Sequence, residues 1–179
     1  EGTLKLTANN TFKGDTTIDA GTLQIGDGGE TGALASDRIK IGEGATLNIQ
    51  RSSDYTLASN ITDAAESPNM GGAVAIDADG AGITLSGESD YSGGTTVTAG
   101  VLKAGSNSGL GTGRVTVEDG GELDLNGKTL SNDLSLSGSG VNGGALNHTG
   151  SGMAEVTGDV TIVAPETSEK TIIRSEGDL

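Results

Sequence analysis

The feature that most constrains this chain is that it repeats itself. Gly14-Asp15-Thr16-Thr17-Ile18-Asp19-Ala20-Gly21-Thr22-Leu23 aligns without a gap on Gly93-Gly94-Thr95-Thr96-Val97-Thr98-Ala99-Gly100-Val101-Leu102, and the match extends from Phe12 on Tyr91 to Gly26 on Gly105. It continues with gaps. Leu34 to Ile41 matches Leu110 to Val117, Leu57 to Ile61 matches Leu130 to Leu134, and Gly71 to Val74 matches Gly143 to Leu146. The gaps fall in Gly-rich turns while the apolar positions survive, as expected when loops absorb change and strands do not. A long internal repeat implies a quasi-one-dimensional architecture in which each unit contacts its neighbours. The copies are expected at about 2–80 and 81–153, with a third beginning near Ala154, all within one segment covering 1–179.

Inside each copy the apolar residues alternate over short runs: Leu4-Lys5-Leu6, Ile39-Lys40-Ile41, Leu47-Asn48-Ile49, Ile83-Thr84-Leu85 and Val115-Thr116-Val117. A period of two sends one set of side chains inward and the other outward. Gly, Asn and Asp bound each run and supply turn conformations that other residues resist. No stretch keeps a helical period. Three short strands and three turns per coil give about eight coils, stacked at roughly 4.8 Å. The expectation is an all-β parallel β-helix, a fragment of a longer rod, with Gly14, Thr16, Thr17, Ala20, Gly21 and Leu23 and their equivalents Gly93, Gly94, Thr95, Thr96, Ala99, Gly100 and Leu102 as structural positions.

Composition agrees with a narrow core. Of 179 residues 32 are Gly, one is Phe, two are Tyr and none is Trp or Cys. Aromatic side chains carry the largest buried areas, so a round core would be poorly filled, whereas Val, Ile, Leu and Ala fill a thin one. The formal net charge is −15 and the pI about 4.1. This disfavours nucleic acid, whose phosphates need Lys and Arg, and anionic membrane surfaces. Without Cys there are no disulfides or thiolate metal sites. No signal peptide is visible, and a chain opening at Glu1 without Met reads as an excised piece.

Tyr91-Ser92-Gly93-Gly94-Thr95-Thr96-Val97-Thr98-Ala99-Gly100-Val101-Leu102, followed by Leu110-Gly111-Thr112-Gly113-Arg114-Val115 and Gly120-Gly121-Glu122-Leu123-Asp124-Leu125, resembles the passenger-associated transport repeat of bacterial autotransporters. The first copy departs from the pattern at Lys13 and Asp15. The resemblance implies a right-handed parallel β-helix at the bacterial cell surface or secreted, exported through an outer-membrane barrel by type V secretion. It implies an adhesin or self-association factor whose folding supports secretion. The implied partners are the rest of the passenger, a C-terminal outer-membrane β-barrel, host surface molecules and identical passengers on other cells.

No catalytic, cofactor or metal residues are assigned, and the chain is read as a non-enzyme. His148, the one histidine, has no nucleophile motif beside it and reads as a turn or surface residue. Asp77-Ala78-Asp79-Gly80 lacks the later Glu of a calcium loop. Lys13-Gly14-Asp15 occupies a repeat turn. Thr16-Thr17 and Thr95-Thr96 occur once per long repeat, too rarely for a hydroxyl ladder on every coil. Asn147-His148-Thr149 fits a glycosylation sequon that carries little weight. The stretch 63–70 is longer than its counterpart, and Asp63, Glu66, Pro68 and Asn69 form the candidate contact loop. A carbohydrate-active β-helix enzyme or polysaccharide-binding module is the alternative, requiring an acidic groove with sugar-stacking aromatics. Leu102→Asp is expected to damage the fold by burying an unpaired charge.

Overall fold

The computed structural model of the chain describes residues 2–64, 71–164 and 170–174. Among them no helix forms, and every strand pair is parallel. The first coil carries β1 (Thr3–Leu6) and β2 (Thr16–Ile18), and the second carries β3 (Thr22–Ile25) and β4 (Arg38–Ile41). The third has β5 (Thr46–Ile49), β6 (Tyr55–Leu57) and β7 (Asn60–Asp63). Long strands run through the next two, β8 (Ala73–Leu85) and β9 (Thr95–Ala104). The sixth coil holds β10 (Val115–Val117), β11 (Gly121–Asp124) and β12 (Thr129–Leu130), and the seventh holds β13 (Leu134–Leu136), β14 (Leu146–Asn147) and β15 (Glu155–Val156). With β16 (Val160–Ile162) an eighth coil begins. The solenoid has about seven turns, slightly fewer than the eight expected. Coils that carry the long loops use more chain than three short strands and turns require.

Three faces result. On the first, β1, β3, β5, the start of β8, the start of β9, β10, β13 and β16 stack in that order. On the second, β6, the end of β8, the end of β9, β11 and β14 follow one another. The third face has β2, β4 and β7 in the early coils and β12 with β15 in the late ones. The strands β8 and β9 bend from the first face to the second, and their mutual register shifts around Asp77. Asp77-Ala78-Asp79-Gly80 therefore lies within β8 and is not a loop.

The core is a column of aliphatic layers. Inward residues such as Leu23, Leu47, Val74, Val97, Val115 and Leu134 are buried on successive coils. Leu102 is 0% exposed and sits between Ile83 below and Leu123 above. Burying one such side chain stabilises by about 1.5–3 kcal/mol, so the stack grows more stable with each coil added. The repeated Ala-Gly pair has a steric cause. Gly21 and Gly100 have φ of +76° and +80°, and an added Cβ at Gly21 would lie 2.5 Å from the Gly2 carbonyl oxygen. At Gly100 it would fall on the Ala78 carbonyl oxygen. Only Gly allows both the turn and the close stacking of the neighbouring coil.

At the two ends the column is open. Leu4 of β1 is 63% exposed and Ile162 of β16 is 53% exposed, and each strand has its outer edge unpaired among the described residues.

Candidate functional site

Candidate chemistry on a β-solenoid lies in outward side chains, so the register decides which of them meet. On the first face the central outward row reads Lys5, Gln24, Asn48 and Ala75 over the first four coils. It continues as Thr96, Thr116, Ser135 and Thr161. Hydroxyls therefore do stack on consecutive coils, contrary to the expectation that they occur once per repeat. The reason is that repeat equivalents are not stacking neighbours. Thr16–Ile18 lies on the third face and Thr95–Val97 on the first, while Leu23 lies on the first face and Leu102 on the second. The row contains no carboxylate, although the chain has 25.

On the second face two acids are engaged internally. Glu122 and Asp124, alternate residues of β11, are each 1% exposed. The Glu122 carboxylate accepts hydrogen bonds from Asn142 N at 2.7 Å and Asn147 Nδ2 at 3.2 Å. Asp124 accepts from Asn126 N at 2.9 Å, Thr149 N at 3.0 Å and the Thr149 hydroxyl. Neutral donors thus hold both buried carboxylates, and in doing so pin the 142–149 segment to the rod. Beside them a shallow cleft of about 170 Å³ is bounded by Asp54, Lys103, Glu122, Asp124 and Thr149. A wider groove of about 460 Å³ lies near the far end, lined by Thr116, Glu118, Ser135, Ser137 and Val163.

Most other singled-out residues have structural partners. His148 is 8% exposed, so it is a turn residue but not a surface one. Its Nδ1 accepts from Gly127 N at 3.2 Å, and Nε2 lies 2.8 Å from the Gly152 carbonyl oxygen, which ties two turns together. Asp15, of the Lys13-Gly14-Asp15 tripeptide, pairs with Lys40 of the next coil at 2.9 Å. That hydrogen bond holds its carboxyl below the ordinary value. Of the candidate contact loop, Asp63 accepts from Ser92 N at 3.2 Å and Ser92 Oγ at 2.7 Å; Glu66, Pro68 and Asn69 lie outside the described residues. The equivalent aromatics differ. Tyr91 is 0% exposed and bonds Thr95 Oγ1 at 2.6 Å, whereas Phe12 is 46% exposed at the open first coil. Burial pushes the Tyr91 hydroxyl far above the ordinary tyrosine value, and burial also raises Tyr55.

Several polar partners have no signal in the sequence read alone. Gln24 Nε2 donates to Gln50 Oε1 at 2.8 Å, and Gln50 Nε2 donates to Asp77 Oδ2 at 2.8 Å, forming a chain of side-chain hydrogen bonds over three coils. Arg51 lies 4.9 Å from the Tyr55 ring centre and donates to the carbonyls of Glu30 and Gly32. Asn132 Nδ2 donates to the carbonyls of Gly111 at 3.1 Å and Gly113 at 2.7 Å. Each acts on the neighbouring coil, so it is legible only once the coil phase is known. Among the described residues no group of three or more His, Cys, Asp or Glu side chains is arranged to hold a metal ion.

Comparison with known proteins adds two matches. The family model for the Passenger-associated-transport-repeat matches residues 1–25 and 79–104. An adhesin, the BmaC autotransporter of Brucella suis biovar 1 (strain 1330), is 46% identical over 55 residues, which is 31% of this chain and 2% of the relative. The chain therefore spans about 2% of the length of that relative. No solved structure gives a significant match.

Proposed function

We propose, from the passenger-associated transport repeats that this chain carries, that it is a structural stalk segment of an autotransporter passenger. Such a passenger is displayed on the bacterial surface or secreted. The observation that carries the reading is the unbroken parallel stack. One aliphatic column runs from Ile18 to Leu146, and buried polar groups such as Asn132 and Glu122 are paired within or between neighbouring coils. This arrangement serves stiffness, and the likeness to an autotransporter adhesin supports a structural, non-enzymatic reading of the segment. The open strand edges at β1 and β16 fit further coils of the passenger, since each exposed row of backbone groups templates a parallel neighbour.

The finer role belongs to the passenger as a whole: adhesion or self-association, with host surface molecules or identical passengers as partners and this segment as the stalk that presents the contacts. Stepwise stacking outside the cell also supplies a free-energy gain for each coil that emerges, which would assist export through the parent's C-terminal outer-membrane barrel. A sugar-active reading gains no specific support. It needs exposed aromatics beside free carboxylates, whereas Tyr91 is buried and Glu122 and Asp124 are bonded to Asn and Thr partners.

Deleting this segment from the parent protein tests the proposal, with surface-exposed passenger and cell attachment scored together. Reduced display with proportionate loss of attachment is the expected result. Full display and unchanged attachment would refute a stalk role in export and presentation.

A further inference from the structure

The register shows more than a failure of repeat equivalents to stack: the failure follows a rule. The two copies open at Thr3–Leu6 and Gly82–Leu85, and the third copy expected from Ala154 opens with the strand at Glu155–Val156. Thr3–Leu6 is on the first face, paired with β3. Gly82–Leu85 is on the second, between β6 and β9. Glu155–Val156 is on the third, paired with β12. From each opening to the next the chain makes three full turns plus one face. The same step relates the internal strands. Arg38–Ile41 on the third face corresponds to Val115–Val117 on the first, and Thr46–Ile49 on the first corresponds to the strand at Gly121–Asp124 on the second.

The physical basis is that the three faces make nearly the same demand on a strand. Each needs alternate aliphatic residues inward and the common inter-coil spacing. Leu23 and Leu102 are equivalents on different faces, and both are buried; the same holds for Ile41 with Val117 and Leu57 with Leu130. A strand written for one face therefore fits the next, and the bent strands β8 and β9 keep the chain continuous across the corner.

We infer that the repeat advances one face per copy, so that equivalent strand positions are presented in turn on all three sides of the rod. Equivalent outward positions such as Lys5, Thr84 and Thr157 then point in three directions, and the pattern closes after three copies. The inference rests on the reading of the chain as repeats and not on its adhesive role.

The chain has no cysteine, so pairs introduced by mutation report proximity cleanly. Disulfides need Cα atoms about 4.4–6.8 Å apart, which adjacent coils provide on the same face. With one face advanced per copy, Thr56→Cys with Thr84→Cys and Thr129→Cys with Glu155→Cys both cross-link on mild oxidation. Asn48→Cys with Thr84→Cys does not. If copies instead opened on the same face, Thr84 would stack on Asn48. Cross-linking of that pair, or failure of the other two in variants that keep the β-type circular dichroism spectrum of the parent chain, overturns the inference. Because no attachment assay is involved, a failed stalk proposal leaves this result standing, and the reverse also holds.

Discussion

Leu102 is where the account can be pressed hardest. It is 0% exposed at the middle of the rod, with Ile83 and Leu123 stacked on either side. Truncation to Ala removes three buried carbons and leaves a cavity that two β-ladders prevent from collapsing, so the cost is about 2–5 kcal/mol. With a urea slope of about 1–3 kcal/mol/M, the unfolding midpoint falls by about 0.7 M or more. Leu102→Asp is harsher, because a carboxylate in this layer has neither a donor nor water, and cooperative unfolding is expected to disappear. The control is Leu4→Ala. Leu4 is the same residue type at an inward strand position but 63% exposed at the open end, and its truncation costs under about 0.5 kcal/mol. Urea titration followed by far-ultraviolet circular dichroism reads all three. Equal midpoints for Leu102→Ala and Leu4→Ala, or an unchanged cooperative transition in Leu102→Asp, would refute the inward assignment and the columnar core.

Gly100→Ala combines a positive φ with overlap on the Ala78 carbonyl, so it should destabilise by about 1–3 kcal/mol. Gly44→Ala has a similar φ of +69° but open space around the added carbon, and thermal melts should show a clearly smaller loss. Asn132→Ala leaves the Gly111 and Gly113 carbonyls without their donor in a buried turn, costing about 1–3 kcal/mol in the same assay. The Tyr91 hydroxyl titrates far above its ordinary value because of burial, so the fold favours the neutral form. Stability is therefore intact below the unfolded tyrosine value of about 10 and falls as pH rises above it. Chemical denaturation from pH 9 upward should show that decline, flattened in Tyr91→Phe; an identical slope in both proteins would contradict the assignment.

The strands were legible because each is a local alternation, and Leu47-Asn48-Ile49 or Ile83-Thr84-Leu85 needs no distant information to declare its inward face. The parallel stack was legible from the repeat. What the sequence did not show was phase. Thr16-Thr17 and Thr95-Thr96 look like partners because they are written alike, yet three turns plus one face separate them, and Thr96 stacks on Ala75 and Thr116 instead. The same gap hid Glu122 and Asp124, whose Asn and Thr donors belong to the next coil. His148 reads as a plain turn residue until its ring is seen bonded to the backbone on both sides. Alternation fixes a strand, but which coil it lies against depends on how many residues each turn consumes.

The central claim, that this segment is scaffold, is tested most directly by replacing it in the parent passenger with an unrelated parallel β-solenoid of the same number of coils. Surface display and attachment at wild-type levels are predicted, because a stalk needs length and stiffness and not these particular outward rows. Restored display with attachment still lost would contradict the account, and would place the adhesive contact on this segment's own faces.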